Sequence, residues 1–398
     1  MNYYNIINSV YRAALNDPQA VYHTKIQMLD HWENVLGELS ANILTDTPTQ
    51  QTIGTGNGVR RSLTISLADE DGKYSPTKNS YFWHGRKFSL WEGIEVAGDV
   101  YWHEQGVYYS TQAEEYKGVL SITAADKFGA LNGETNTGRC PLPFTTDIAS
   151  GDIYIADLIR ELLGLNTGNL PIDPITPIID HVFETTKLYA DISLNAGQFY
   201  GEILLRLAEM YGADCYYDRF GRLNFRKKMA KDRPWWYEHS AAVWTFYDDD
   251  PNITEGVRRT TNLKAINTVT VMSDNKEGEA ASVTLRNTNP ESPVCVQNVG
   301  EQYPDECPMY ISVGDTTVQT AEEKCRQYAE YVLCQNTAQL CTESFTAAFI
   351  PHLDTDVIIN IKGENRLVTG LTVDHKTKLM QISACSVAFL PKGGIGIE

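Results

Sequence analysis

The chain has 398 residues, 42% of them hydrophobic and 21% charged, with a formal net charge of -18. That length supports two to four compact units, each with a core, and the composition excludes a wholly disordered chain. So acidic a chain is a poor ligand for nucleic-acid backbones, where binding depends on Lys and Arg displacing counterions. The one short basic cluster, Arg226, Lys227 and Lys228 followed by Lys231 and Arg233, reads as a solvated strand end. Met1 to Val10 has neither a cationic start nor an apolar core, so no secretory signal is read there. No apolar run approaches the ~20 residues that cross a bilayer. Folding in a cytoplasm is therefore expected, with the eight cysteines reduced and none in a C-x-x-C pair. Cys295 and Cys307 flank a Pro-containing loop and could pair in an oxidising medium. The 22 tyrosines suit strands and interfaces, where a large ring is buried and its hydroxyl stays hydrogen-bonded.

In chain order, Ile6, Ile7, Val10, Ala14 and Leu15 recur at helical spacing and predict a helix over Tyr3 to Leu15, stopped by Asn16-Asp17-Pro18. From Val21 to about Asn132 the period falls to two. Strands are expected at Tyr22 to Leu29, Leu63 to Leu67, Phe88 to Ile94 and Val119 to Ala124, with a further pair between Tyr101 and Tyr109. Asp69-Glu70-Asp71-Gly72 makes a tight turn. From about Asp152 to Lys228 the types mix. An amphipathic helix over Ile153 to Leu163 ends at Gly164, a stretch with Pro171, Pro174 and Pro177 follows, and a second helix over Gln198 to Tyr211 stops at Gly212. Ala213 to Asp218 and Arg222 to Arg226 form a hairpin around Arg219-Phe220-Gly221.

Beyond that, β character returns. Strands are predicted at Ile266 to Val271 and Ser282 to Arg286, about a polar turn at Asn275 to Glu279. A long loop covers Asn287 to Asp305, and a Thr-capped helix runs from Thr320 to Val332. Four more strands follow at Ser344 to Phe349, Val357 to Ile361, Arg366 to Val373 and Met380 to Ala388, before a Gly-rich tail over Pro391 to Glu398 that reads as mobile. The fold class expected is α+β, mainly β, with two β-barrel or sandwich-like domains flanking or interleaved with an α/β domain. The expected boundaries are an N-terminal helix at 1–20, a first β-domain at 21–140, an α/β domain at 141–232, and a second β-domain at 233–398. The last carries a long loop at 287–318 and a helix at 320–333. No repeat is strict enough to show a duplication.

Gly54-x-Gly56-x-Gly58 has no strand before it and opens no helix, so it is a loop and not a phosphate cradle. There is no G-x-S-x-G elbow and no H-E-x-x-H. Asp69-Glu70-Asp71-Gly72 begins like a calcium loop, but Lys73 and Ser80 stand where further oxygen ligands are needed. Asp248-Asp249-Asp250 cannot all face one ion from a strand. His84 and His103 sit in aromatic-rich strands as structural histidines. Glu104, Glu114 and Glu115 are candidate acids with nothing to single them out. No catalytic, cofactor-binding or metal-binding residue is assigned. Two aromatic triplets, Tyr81-Phe82-Trp83 and Trp235-Trp236-Tyr237, are either core or interface anchors.

Three stretches carry a resemblance. Arg61 to Pro76 (RSLTISLADEDGKYSP) resembles the strand, Asp-Gly-x-Tyr-Ser-Pro, loop element of phage tail tip proteins. Gly106-Val107-Tyr108-Tyr109 through Ser121 to Leu131 (SITAADKFGAL) is similar to a run in the same proteins. Tyr200 to Lys227 resembles the helix, strand, D-x-x-G-x-L-x-F unit of tail hub domains. The order of these weak motifs is a stronger signal than any one of them. The family resembled is the baseplate hub, or tail-associated protein, of phages and related contractile particles.

The resemblance implies a homotrimer in which each subunit contributes two similar β-domains to a pseudo-sixfold ring. That ring joins a sixfold tail tube to a threefold spike or tip and lets the tape measure protein and DNA pass. It implies no catalytic residues, no cofactor, a place in the virion tail, and assembly in the host cytoplasm. The implied partners are other copies of the chain, the tail tube or distal tail protein, the spike or tip protein and the tape measure protein. With the chain ending at Glu398, any peptidoglycan-cleaving enzyme is expected on a separate polypeptide. The rival readings are a tail-tip peptidoglycan hydrolase and a receptor- or carbohydrate-binding tail module using tryptophans such as Trp83 and Trp102.

Overall fold

The structure is a computed structural model. It describes residues 9–17, 19–39, 49–78, 83, 85–135, 137–165, 170–188, 191–227, 241–247, 250, 252–261, 264, 266–273, 280–311, 320–338 and 341–386. Helix α1 (Ser9–Leu15) leads into β1 (Tyr22–Leu29), β2 (Val35–Leu39), β3 (Gln50–Ile53), β4 (Arg61–Ala68), β5 (Lys87–Val96), β6 (Asp99–Tyr116) and β7 (Val119–Asp126). Strand β4 shows why this region is β. Leu63, Ile65 and Leu67 fall on one face and are fully buried against Ile122, Leu120 and Phe88.

The pair of strands expected between Tyr101 and Tyr109 is a single strand of 18 residues. Gln105 is the extra residue that breaks its alternation, because Leu90 pairs with Gly106 while Trp91 pairs with Glu104. A bulge of this kind turns backbone groups out of the ladder. Gly106 follows it because a Cβ there would lie 2.5 Å from the folded-back Tyr108 hydroxyl.

Helix α2 (Lys127–Asn132), capped by Asp126, begins the mixed region. It continues through β8 (Phe144–Thr145), α3 (Ile155–Leu162), β9 (Ile178–Ile179), α4 (His181–Thr185), β10 (Ser193–Leu194), α5 (Tyr200–Met210), β11 (Ala213–Tyr217) and β12 (Leu223–Lys227). Ile155, Leu158, Ile159 and Leu162 form the buried stripe of α3, at i, i+3, i+4 and i+7. They meet Ile203, Leu204 and Leu207 of α5 and Phe183, Cys215 and Phe225 in one core.

The last part holds β13 (Trp244–Phe246), β14 (Arg258–Thr261), β15 (Thr268–Ser273), β16 (Ser282–Arg286), α6 (Val296–Val299), β17 (Met309–Ile311), α7 (Ala321–Ala338), β18 (Cys341–Ala348), β19 (Ile358–Ile361), β20 (Glu364–Asp374) and β21 (Leu379–Ser386). Helix α7 starts with a capping box. Thr320 Oγ1 accepts from Glu323 N at 3.2 Å and Glu323 Oε2 accepts from Thr320 N at 2.9 Å. It covers the small β16-β15-β17 sheet through Ala321, Cys325, Ala329 and Leu333. The expected long loop contains α6 and β17. Cys295 is buried and Cys307 exposed, both as free thiols. The Gly-rich tail and the Asn275 to Glu279 turn lie outside the described residues.

The mainly-β class expected from the sequence holds. The two β regions are continuous with each other, because β3 pairs with β4 on one side and with β20 on the other. The resulting 13-stranded sheet runs β14-β18-β21-β20-β3-β4-β7-β6-β5-β1-β2, with β13 and β19 branching from β20. Among the described strands this path does not close into a barrel, and its two ends, β14 and β2, lie at opposite extremes.

Candidate functional site

The residues joining the three regions converge on the connection between β18 and β19. Arg61, at the start of β4, reaches Asp354 with both carboxylate oxygens at 2.7 Å and donates to the Gln105 carbonyl at 3.3 Å. Arg60 beside it meets Asp356 at 2.5 Å and lies 3.3 Å over the Tyr216 ring. Arg219, at the tip of the β11–β12 hairpin, donates to the carbonyls of Glu104 at 2.5 Å, His352 at 2.9 Å and Pro351 at 2.8 Å. Gln105, aimed here by its bulge, donates to Pro351 O at 2.8 Å. One short turn is thus held from the first β region, the mixed region and the last β region together.

The electrostatics fit a buried joint. Burial alone would raise the Asp354 carboxyl, but the Arg61 and Arg219 charges outweigh it and hold Asp354 below the usual carboxylate range. Asp126 accepts from the backbone N–H groups of Arg60, Arg61 and Phe128 at 2.8, 2.9 and 3.0 Å. Burial still pushes its carboxyl up to about 6. The Gly54-x-Gly56-x-Gly58 loop is a docking element. Gly58, at φ +88°, donates to Cys215 O at 2.8 Å, and Asn57 Oδ1 accepts from Cys215 N at 2.8 Å.

A second buried network lies beside the first. Lys127 Nζ meets Glu33 at 2.6 Å, Asp173 at 2.7 Å and Gly221 O at 2.7 Å, and Lys87 Nζ meets Glu33 at 2.8 Å. Tyr217 donates to Asp173 at 2.7 Å. A cavity of about 10 Å³ lined by Tyr109, Lys127, Asp173 and Tyr217 has room for one water and none for a sugar. A third knot, Glu92 with His375 at 2.6 Å and Lys378 at 2.8 Å, ties β5 to the β20–β21 turn. These arrangements lock backbone segments together.

Of the aromatic triplets, Tyr81, Phe82, Trp235, Trp236 and Tyr237 lie outside the described residues, as do His84, Asp248, Asp249, Lys228, Lys231 and Arg233. Trp83 is core. It is buried edge-to-face on Phe88, and its Nε1 donates to Tyr74 O at 2.6 Å, so it has no face to offer a sugar. Trp102 is half-buried with Lys25 Nζ 4.2 Å over its ring. Glu114 and Glu115 are exposed near the end of β6, where Glu115 accepts from Ser75. Glu104 is partly buried and its carboxyl is pushed up to about 7, chiefly by burial. Asp250 closes a local turn, accepting from Tyr247 N and Asn252 N. Among the described residues no group of three or more His, Cys, Asp and Glu is placed to hold a metal. Sequence reasoning missed Arg60, Arg61, Asp126, Arg219 and Asp354 as a set. All but Arg60 and Asp354 lie in the three stretches that carried the resemblance, which was the available signal.

No protein-family model and no curated protein matches the sequence. Solved structures do match. The 43 kDa tail protein of prophage MuSo2 from Shewanella oneidensis aligns over 92% of this chain and 99% of its own, with a TM-score of 0.53 and 13% identity. A tail protein from Neisseria meningitidis MC58 aligns over 92% and 96%, with a TM-score of 0.53 and 10% identity. A chain of the half-lidded Francisella PdpA-VgrG complex aligns over 93% of this chain and 58% of its own, with a TM-score of 0.52 and 9% identity. The fold is that of phage tail proteins, across nearly the whole chain, and the resemblance read from the sequence holds at that level.

Proposed function

We propose that the chain is a structural tail-tip or baseplate hub subunit. Three copies form a pseudo-sixfold ring that connects the tail tube to the central spike or tip and lets the tape measure protein and DNA pass. The observation that carries this reading is the single sheet through both β regions, whose two ends carry, among the described strands, no further partner. Open edges add strands from other chains. At one end β14 is exposed along its whole length and carries Arg258 and Arg259. At the other, Trp32, Val35 and Leu36 are about half exposed beside the acidic Glu38. Two different surfaces meeting head to tail close into a ring when the rotation allows. The buried joint at Asp354 supports this, since a ring needs a fixed angle between the two β halves of each subunit.

The shared fold of tail proteins supports a place in the virion tail, after assembly in the host cytoplasm. The fold shared with chains of PdpA-VgrG complexes supports a spike-type partner. The charge of -18 per chain would give -54 per trimer, which repels DNA phosphates from the walls. The role in this reading is mechanical. Averaged electron micrographs of intact particles labelled against the chain test the placement. Label at the tail tip is expected, and label on the capsid or on fibres alone overturns it. Release of soluble fragments from purified peptidoglycan would instead support the hydrolase reading.

A further inference from the structure

Lys127, the first residue of α2, holds its amine between two carboxylates. Its Nζ lies 2.7 Å from Asp173 Oδ1, in the loop between α3 and β9, and 2.6 Å from Glu33 Oε1, in the β1–β2 turn. The side chains of Lys127 and Asp173 are each 3% exposed and that of Glu33 12%. Aromatic and apolar groups surround the contact. Lys127 Nζ is 5.1 Å from the centroid of the Tyr217 ring, and Tyr109, Leu131 and Ile172 line the same cavity. Lys127 Nζ also donates to Gly221 O at 2.7 Å, and the Ile175 N–H donates to Asp173 Oδ1 at 3.1 Å, so both partners are held in place. Glu33 sits at φ +67°, in the left-handed region that residues other than glycine occupy only when their surroundings hold them there. Strain of this kind gathers at functional positions. Lys87 helps to hold it, with its Nζ 2.8 Å from the same Glu33 oxygen and 2.8 Å from His31 O.

We propose that Lys127 and Asp173 condense into an intramolecular isopeptide bond, with Glu33 as the proton shuttle and one water as the by-product. The starting pair is an ammonium and a carboxylate. Burial penalises both ions, so one proton crosses the 2.7 Å contact to Oδ1 at far less cost than in water, leaving a neutral amine and a neutral acid. The freed electron pair of Nζ then attacks Asp173 Cγ. Groups fixed in contact in this way react with an effective concentration on the order of 10⁵ M or more. Negative charge develops on Oδ2, where the Tyr217 hydroxyl donates at 2.7 Å. The surplus proton on nitrogen passes to Glu33 and from Glu33 to Oδ1. The bond from Cγ to Oδ1 breaks, Oδ2 becomes the amide carbonyl oxygen, and water leaves. Glu33 ends ionised as it began, with Lys87 as its counter-charge. The bond removes one cation and one anion together, so the buried network keeps its net charge. The cavity of about 10 Å³ beside Lys127 and Asp173 has room for the departing water.

The bond ties α2, which follows β7 of the first β region, to a loop of the mixed region 46 positions further on. It forms within one chain and does not depend on the ring. The test is the intact mass of the denatured full chain. It should fall short of the 44.6 kDa sequence mass by one water. Digestion should then yield a branched peptide in which Lys127 is joined to Asp173. A full sequence mass, or a deficit that maps to other residues, overturns the proposal. Lys127→Arg should restore the full mass, and a deficit that persists in it overturns the proposal as well. Glu33→Gln keeps both reacting groups and should slow closure roughly 100-fold or more, followed as the deficit that appears after pulse-labelled cell-free synthesis. Closure at an unchanged rate overturns the part given to Glu33. The mass of the unmodified chain decides the bond even where a variant fails to fold.

Discussion

The joint at Asp354 is the most direct place to perturb the architecture. Arg61→Met removes a guanidinium that is almost wholly buried and leaves Asp354, whose side chain is only 15% exposed, without its bidentate partner. Unit charges about 4 Å apart at an effective dielectric near 20 attract by about 4 kcal/mol. Breaking a buried pair from one side costs roughly 3–5 kcal/mol, because the remaining charge is stranded. Asp354→Asn strands Arg61 in the same way. The two together remove both charges of the pair, and the double variant should cost well below the sum of the single ones. A double-mutant cycle from urea unfolding, followed by tryptophan fluorescence, should therefore give a coupling of about 3 kcal/mol. Additive costs, with coupling below about 0.5 kcal/mol, would refute the view that this pair clamps the three regions.

Two further outcomes are expected. Glu104 holds its proton to about pH 7 in the fold, against an ordinary carboxylate value, so its charging weakens the fold as pH rises from about 4.5 to 7. Glu104→Gln should thus stabilise by about 3 kcal/mol at pH 8 and by almost nothing at pH 4, read from denaturation midpoints; a gain that grows toward acid would contradict the assignment. Leu36→Lys at the β2 edge places a cation opposite the arginines of β14 in the proposed ring. It should split the assembly in light scattering yet shift single-chain stability by no more than about 0.5 kcal/mol, because Leu36 is half exposed. An assembly that survives the change moves the interface elsewhere.

The elements with clean periodicity were legible. Tyr22 to Leu29 and Leu63 to Leu67 are legible as strands because apolar and polar residue types alternate along them, and the 213–226 hairpin because Arg219-Phe220-Gly221 can only be a turn between two β runs. Strand β6 was divided because the bulge at Gln105 and the following Gly106 break the alternation within one strand. Strands β2 and β3 went unread, being five and four residues long with little apolar pattern, although β3 is what fuses the two β regions. The joint was invisible for a different reason. Arg61 and Asp354 are 293 positions apart, and local pattern carries no information about which distant charge will neutralise a buried one. Trp83 looked equally suited to a core or a surface, and only the fold put its ring against Phe88.

The central claim is that this chain works as one member of a closed ring, and its mass in solution tests that most directly. Sedimentation equilibrium of the purified chain at high concentration should report three times the 44.6 kDa of a single subunit. If the single-subunit mass persists there, and also with tail tube and spike proteins added, the ring account is contradicted.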